Sequence, residues 1–538
     1  MKWFHLLLAV GCTGSNGVFK SEDGEGEGEG EAEAEGEFGE GESEGVGVAA
    51  VEVPLDPNPL NSSGLTINED GEMVLDSLGS SLVQPFLWIA NSPDGTVTKI
   101  DTETGVEVGR YRSGPGGDDP SRTTVGLDGD VVVANRGGSS AVRIHADTAS
   151  CPDVNSDGLI STSTGPADVL AWGADECVLW FHSFGPEGGG LARAAAFDFV
   201  ADADGSLSSG VWIGLWDAQR LVKLDADTGA TLATVDIPGH NPYGMAFDGA
   251  GDIWVSDRGA NTIVRVDVAT LTWEAIAIPS GCDPYGIAAD GDGFVWVPGY
   301  SCGILHRYNS ATGEWASVSL GGGNGRGVAH DGEGFVWVAV NNGPSGVHKI
   351  DAATMTTVAT IPIATTLVGM AVDFNGYIWA VDQGYSQVYR IDPDTLALST
   401  VPTGSNPYTY SDMTGFQLVN AAPPVGTYRT IVEGCGPETQ WYELHWSAET
   451  PESTFVRFRA RAANDEAELA AEAFVAVAQQ PDDLSPADLM AALETAAIGA
   501  SYGALLELEI ALGSETAGVT PSLASVGVTS SCAGATIN

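Results

Sequence analysis

Positive charge is scarce in this chain. Its 538 residues carry 21 Lys and Arg against 73 Asp and Glu, a formal net charge of −52. A phosphate backbone or an anionic bilayer surface is held by clustered cations, so nucleic acid and basic membrane docking are excluded as partners. Long apolar runs are also missing, and none approaches the roughly 20 residues of a membrane-spanning helix. The 7 cysteines contain no Cys-x-x-Cys and the 8 histidines no His-Glu-x-x-His, which removes zinc clusters and zincin chemistry. No Walker loop occurs, and no organic cofactor is indicated. What is abundant is 71 Gly, 14 Trp and a 43% hydrophobic content, enough for a packed, turn-rich β protein.

The first residues read as an address. Lys2, the apolar Leu6-Leu7-Leu8-Ala9-Val10 and the small Gly11 before Cys12 follow the order of a secretory signal. Leu8-Ala9-Val10-Gly11-Cys12 resembles the lipobox of bacterial lipoproteins. That resemblance implies a signal over 1–12, acylation of Cys12 and a place in the cell envelope, as an outer-membrane lipoprotein or extracellular protein touching membrane through the lipid alone. From Glu22 to Glu44, 12 acidic residues alternate mainly with Gly and Ala, without a basic residue. Such a segment has too little apolar surface to offset its ordering entropy, and its charges extend it, so 13–65 is expected to be a disordered tether.

The middle of the chain repeats itself. Trp254, Trp296, Trp337 and Trp379 lie 42, 41 and 42 residues apart in the contexts Ile253-Trp254-Val255, Val295-Trp296-Val297, Val336-Trp337-Val338 and Ile378-Trp379-Ala380. Val211-Trp212-Ile213 and Leu87-Trp88-Ile89 extend the series upstream, and Val131-Val132-Val133 is the same element with Val132 in place of tryptophan. Each copy has an apolar strand after Pro-Tyr-Gly or its equivalent, an Asp-Gly turn, the Trp strand, a polar loop and two further strands. Four short strands per ~42 residues is propeller-blade spacing. The expectation is an all-β fold, a seven-bladed β-propeller over 66–423 with an insertion at 151–192, then a small β-sandwich over 424–538. The first copy lacks its inner strand, and Pro407-Tyr408-Thr409-Tyr410-Ser411-Asp412 would supply it, placing residues 408–413 beside 86–91.

Over roughly residues 86–420 the repeat, Gly-x-Ala-x-Asp then Ile-Trp-Val then Ile-x-Arg-Val-Asp, resembles the streptogramin B (virginiamycin B) lyase and NHL-type propellers. That resemblance implies, for an enzyme, histidines and a glutamate beside Mg²⁺. Here the matching positions hold Tyr243, Tyr285, Arg326 and Val368, then Asp257, Gly299, Val340 and Asp382. Only His240 is well placed. Loops before the inner strand and after the Trp strand converge on one face, nominating a ring of Asn91, Arg122, Asn135, Arg136, His240, Tyr243, Asp257, Arg258, Tyr285, Tyr300, Arg326, Asn341, Asn342, Asp382, Gln383 and Tyr408. Aromatic bodies with polar tips beside Arg and Asn suit a polar small molecule, peptide or surface protein. The expected function is ligand or partner binding in this funnel. The alternative is a lyase- or hydrolase-like enzyme using His240 and Asp257.

Setting Cys12 aside leaves six cysteines. The blade map pairs Cys282 with Cys302 on one rim, Cys151 with Cys177 around the insertion, and Cys435 with Cys532 around the C-terminal region, as an oxidising exterior allows. Asp153-Val154-Asn155-Ser156-Asp157-Gly158-Leu159-Ile160-Ser161 spaces oxygens like an EF-hand loop. Asp153, Asn155, Asp157, the Leu159 carbonyl and Ser161 would hold a structural Ca²⁺, with Asp168 standing in for the missing Glu at Thr164. Arg457, Arg459 and Arg461 form a basic strip that either meets an acidic partner or neutralises nearby carboxylates.

Overall fold

The computed structural model describes residues 49–58, 61–75, 85–201, 207–410, 412–421, 425–497, 499–514, 519–532 and 536–537. The signal, Cys12 and the acidic run from Glu22 lie outside the described residues. Described secondary structure is nearly all antiparallel β, and none of its helices is long and apolar enough to cross a membrane.

Seven of the described sheets follow one another in chain order. The first has three strands, Phe86–Asn91, Thr96–Asp101 and Val106–Arg112. The next six have four each and begin at Pro120, Ala192, Pro242, Ala288, Asn324 and Leu367. This is the arrangement of a β-propeller. In every repeat with tryptophan the second strand, or the first in the opening sheet, carries an indole with no solvent exposure. Each such burial removes about 150–250 Å² from water, roughly 4–6 kcal/mol as an upper estimate.

A buried carboxylate locks the indole. Nε1 of Trp212, Trp254, Trp296, Trp337 and Trp379 donates to Asp198, Asp248, Asp290, Asp331 and Asp373 at 2.6–2.9 Å. In four of these sheets the same carboxylate also accepts amides of the following turn, as Asp331 does from Glu333 and Phe335. That is the chemical content of the Asp-led turn before these four Trp strands. Burial holds the Asp248, Asp290 and Asp373 carboxyls above the usual range, with the indole bond opposing it. Trp88 Nε1 has no such partner, because Asp412 on the closing segment instead accepts the amides of Thr414, Gly415 and Leu418.

That closing segment lies beside residues 86–91. Asn91 bridges Pro407, Tyr408 N donates to Ala90 O at 2.9 Å and Trp88 N to Met413 O at 2.9 Å. Its other flank is packed as tightly. A Cβ on Gly369 of the seventh sheet would stand 2.0 Å from Thr409 O, and one on Gly286 would stand 2.6 Å from Arg326 O. Glycine in the Pro-x-Gly motif is there for the neighbouring sheet's backbone to approach.

The remaining strands form two six-stranded sheets around a shared core that includes Met73, Trp441, Leu444, Phe458, Ile510 and Val528. Ala49–Val53, Leu65–Ile67 and Met73–Leu75 belong to them, pairing among themselves and with Ser522–Ser530, and Ser62–Ser63 pairs with Val425–Glu433. This corrects the boundary of tether and propeller at 65/66. Val53, Leu65, Met73 and Leu75 are buried apolar residues, so the segment has a core to join. The insertion is corrected too. Val178–Ser183 pairs with Ser140–Ile144 as the outer strand of the second sheet, leaving 145–177 between strands. Arg459 and Arg461 pair with Glu509 and Glu507 on the adjacent strand, and Arg457 donates to Gln479 Oε1 at 2.7 Å. The basic strip neutralises its neighbours.

Gly369→Ala tests the seam. The added methyl must push the closing strand from the seventh sheet, and the expected loss is at the upper end of about 1–3 kcal/mol, read from denaturant unfolding. An unchanged midpoint would mean that this contact does not hold the ring shut.

Candidate functional site

The inner strand of most sheets breaks register at one point, between Pro120 and Arg122, Ala192 and Ala194, Pro242 and Gly244, Gly325 and Val328, and Leu367 and Gly369. A bulge leaves one residue unpaired and re-aims its side chain. Arg193, Tyr243 and Arg326 occupy such positions. Tyr285 and Tyr408 follow bridging prolines, Pro284 and Pro407, in the same place.

These side chains meet although they come from different sheets. Tyr408 Oη lies 2.7 Å from Tyr243 Oη and 2.7 Å from Tyr285 Oη. Arg326 Nη1 donates to Tyr285 Oη at 2.7 Å and Arg193 Nη1 to Tyr243 Oη at 3.4 Å. Tyr410 stacks on Tyr243 with centroids 5.4 Å apart, and Tyr300 on Tyr285 at 5.2 Å. Arg122, fully buried, lies 3.1 Å from the centre of the Tyr410 ring and donates through Nη2 to Tyr243 O at 3.0 Å. Arg258 lies over Tyr300 at 4.3 Å, Arg136 over Tyr408 at 5.0 Å, and Arg193 over Trp216 at 5.8 Å. Guanidinium planes favour aromatic faces, so the cluster is cohesive without a ligand.

Its charges are not balanced. Arg136 pairs with Asp119 and Arg258 with Asp283, whereas Arg122, Arg193 and Arg326 have no carboxylate partner among the described residues. Nε of each of these three is buried without a hydrogen-bond acceptor, as is Tyr410 Oη. Burial pulls the Arg122 guanidinium down to about 9, which leaves it charged at neutral pH. Burial alone would push the Tyr408 phenol up, but the Arg122 charge and the bonds to Tyr243 and Tyr285 bring it to about 8. Tyr243 and Tyr285 move upward, chiefly by burial. Next to Arg136 a cleft of about 210 Å³ is lined by Ser92, Asp94, Arg112, Asp118 and Asp119.

Of the ring expected from sequence, Arg122, Arg136, Tyr243, Arg258, Tyr285, Tyr300, Arg326 and Tyr408 come together. Asn91 and Asn341 do not join them. Asn91 donates to Thr96 and Thr98 of its own sheet and Asn341 to Leu367 O, because a buried amide between strands satisfies the rim first. Asn135 likewise serves Ser113 O and Ser140. His240 Nδ1 lies 2.6 Å from Asp257 Oδ2, with Thr262 donating to the same carboxylate and the Trp273 ring edge-on at 5.4 Å. That pair faces the outer strands of its own sheet. Arg193, Trp216 and Tyr410 were not legible beforehand. The Ala192-Arg193-Ala194 stretch lacks Pro-x-Gly, and Tyr410 is found only by stepping two residues along the strand from Tyr408.

In the expected calcium loop, Asp153 accepts the amides of Asp157 and Gly158, and Asn155 Oδ1 also accepts that of Asp157. Asp168 is taken by Thr164. Glu176, not nominated from sequence, accepts the amides of Asn155 and Ser161 at 3.1 and 2.7 Å.

Fold and site together define a β-propeller with an arginine–tyrosine mouth. No protein-family model matches the chain, and no curated protein matches it. Among solved structures it is similar to a streptogramin B lyase, at 15% identity over 62% of this chain and 95% of that one, TM-score 0.42. Virginiamycin B lyase from Staphylococcus aureus follows at 16% identity, 55% and 90% coverage and TM-score 0.40. Hydrazine synthase from Kuenenia stuttgartiensis is similar at 16% identity, 54% and 89% coverage and TM-score 0.42.

Disulfides join Cys151 to Cys177, Cys282 to Cys302 and Cys435 to Cys532. The second brackets the stacked Tyr285 and Tyr300, whose segments also meet through Tyr300 N donating to Asp283 O at 2.7 Å. Replacing Cys282 and Cys302 together by Ser is expected to cost about 3 kcal/mol for a link spanning 20 residues, measured by unfolding under oxidising conditions. No loss of stability would mean that the bridge is dispensable to this part of the mouth.

Proposed function

We propose that the chain is a closed seven-bladed β-propeller followed by a β-sandwich, and that its mouth binds an anionic polar ligand. The ligand is a small molecule, peptide or surface protein presenting a carboxylate, sulfate or phosphate. One observation carries the reading: Arg122, Arg193 and Arg326 gather without carboxylates in a protein of net charge −52. Three uncompensated, partly desolvated guanidiniums repel one another, and an anion relieves that repulsion while meeting their fork of donors. Tyr300 and Trp216, both half-buried, offer aromatic surface for the ligand's body. The lyase-like alternative is disfavoured because the side-chain contacts of His240, to Asp257, Thr262 and Trp273, include none of the tyrosines among the described residues. Three disulfides support a place outside the reducing cytosol, which agrees with the proposed envelope location and lipid anchor on Cys12. We also propose a Ca²⁺ ion bracing Asp153, Asn155, Asp157, the Leu159 carbonyl and Ser161, with Glu176 closing the loop where Asp168 was expected.

Two measurements test these readings. Calorimetry with sulfate, citrate and neutral sugars is expected to give heat with the anions only, and Arg193→Met or Arg326→Met each to weaken binding about 10- to 100-fold. His240→Ala is expected to leave it unchanged. Neutral ligands binding equally well in both arginine variants would sink the anion reading. For calcium, about 1 mM CaCl₂ should raise the melting temperature of the native chain but not of Asp153→Ala with Asp157→Ala, and equal effects would overturn that proposal.

A further inference from the structure

The three hydroxyls at the centre of the mouth pose a counting problem. A phenol has one hydrogen to donate and lone pairs to accept with. Arg193 and Arg326 donate to Tyr243 and Tyr285, so the hydrogens of those two phenols are free to point elsewhere. Both have the same neighbour, Tyr408 Oη, at 2.7 Å. Two oxygen–oxygen contacts accommodate two hydrogens, yet the triad owns three. No further acceptor for the third lies within hydrogen-bond distance of Tyr408 among the described residues, and Tyr408 is only 9% exposed.

We propose that Tyr408 is the proton-exchanging residue of the mouth, and that an anionic ligand is bound together with the triad's third proton. With that proton present, the hydroxyl has one hydrogen without a protein acceptor, and an anion oxygen supplies the acceptor. With it lost, the oxygen accepts from Tyr243 and Tyr285, balanced by cations on several sides. The step breaks only the Tyr408 O–H bond. The electron pair stays on the phenolate oxygen, the proton leaves to solvent, and ligand binding reverses it.

The charged and titratable groups around the ring are consistent. Arg122 lies 5.7 Å from its centre and Arg136 5.0 Å, with Asp119 behind Arg136 as its ion-pair partner. Arg193 reaches the triad through Tyr243 and Arg326 through Tyr285. Tyr410 stands edge-on at 5.6 Å. Cations outnumber carboxylates here, so a phenolate forms more readily than in water, near pH 8 rather than the ordinary value of about 10. The sign of the linkage follows. An anion prefers the protonated triad, so its affinity is flat at low pH and falls as pH rises through the Tyr408 midpoint.

This assignment deepens the anion-binding reading and rests on it for the ligand, but one of its tests needs no ligand. In a pH titration of the full-length chain followed by the near-ultraviolet absorbance of phenolate, one tyrosine is expected to ionise near pH 8. Tyr408→Phe should abolish that step, and Arg326→Met should move it upward. In calorimetry with sulfate, whose charge is constant across the range, the dissociation constant should rise about tenfold per pH unit above the midpoint, and Tyr408→Phe should flatten that slope. If no tyrosine ionises below about pH 9.5, or the early step survives in Tyr408→Phe, the proposal is overturned. Sulfate affinity independent of pH overturns the proton coupling and leaves anion binding standing. Failure of sulfate to bind at any pH counts against the anion reading, and the absorbance step then decides Tyr408 by itself.

Discussion

The pairing of the segment after Pro407 with the first sheet is the constraint on which the other features depend. Backbone bonds from Tyr408 to Ala90 and from Trp88 to Met413 give the three-stranded first sheet its inner strand. An open series of sheets would expose two unpaired edges at opposite ends of some 300 residues, and edges of that kind recruit other chains. The same bonds deliver Tyr408 and Tyr410 to the centre, where they touch tyrosines more than a hundred residues earlier. Closure and site assembly are therefore one event. A chain that failed to bring the two ends together would lose its mouth at the same time as its edge protection.

Within the closed arrangement the polar groups divide into two populations with opposite logic. At five of the six Trp strands a carboxylate is buried and spent: it takes an indole hydrogen, in most sheets with two turn amides, and has little capacity left for anything else. At the mouth the buried groups are cations and phenols whose donors exceed the acceptors in reach. An acidic protein would be expected to neutralise such arginines wherever a carboxylate could be placed, as it does at Asp119 with Arg136 and Asp283 with Arg258. Leaving Arg122, Arg193 and Arg326 without one costs stability through desolvation and mutual repulsion. That imbalance is the reason for looking to the mouth for function rather than to the ladders.

Most of this architecture was readable from periodicity alone. The recurrence of Trp at 41 or 42 residues, the Asp-Gly turn six residues before it and the Pro-Tyr-Gly start are all local patterns, each with a local physical cause. The orphan first Trp strand and the tyrosine-rich stretch near 410 were recognisable as complementary because one lacked what the other had. The segment 49–75 was not, since its short strands follow a long acidic run and pair with partners up to several hundred residues away. The candidate site was half legible. Tyr243, Tyr285 and Arg326 stand in a motif, but Arg193 sits at an equivalent bulge with no Pro-x-Gly to mark it, and Asn91 and Asn341 share the loop position of the ring while their amide nitrogens are engaged within the rim.

The identity of the groups at the bulge positions decides what chemistry the mouth can perform. An imidazole there would bring a base that titrates near neutrality and a ligand for a divalent metal. The described mouth has phenols and guanidiniums instead, a set whose cations repel a metal ion, and His240 has its Nδ1 committed to Asp257. A phenol serves as an acid–base group near neutral pH only when its oxyanion is stabilised, and two donated hydrogen bonds with several guanidiniums provide that stabilisation. On the proposed reading, the arginines that attract an anion are the same ones that make Tyr408 acidic. Anion affinity and phenol acidity would then arise from one charge distribution, so a substitution that weakens one should weaken the other.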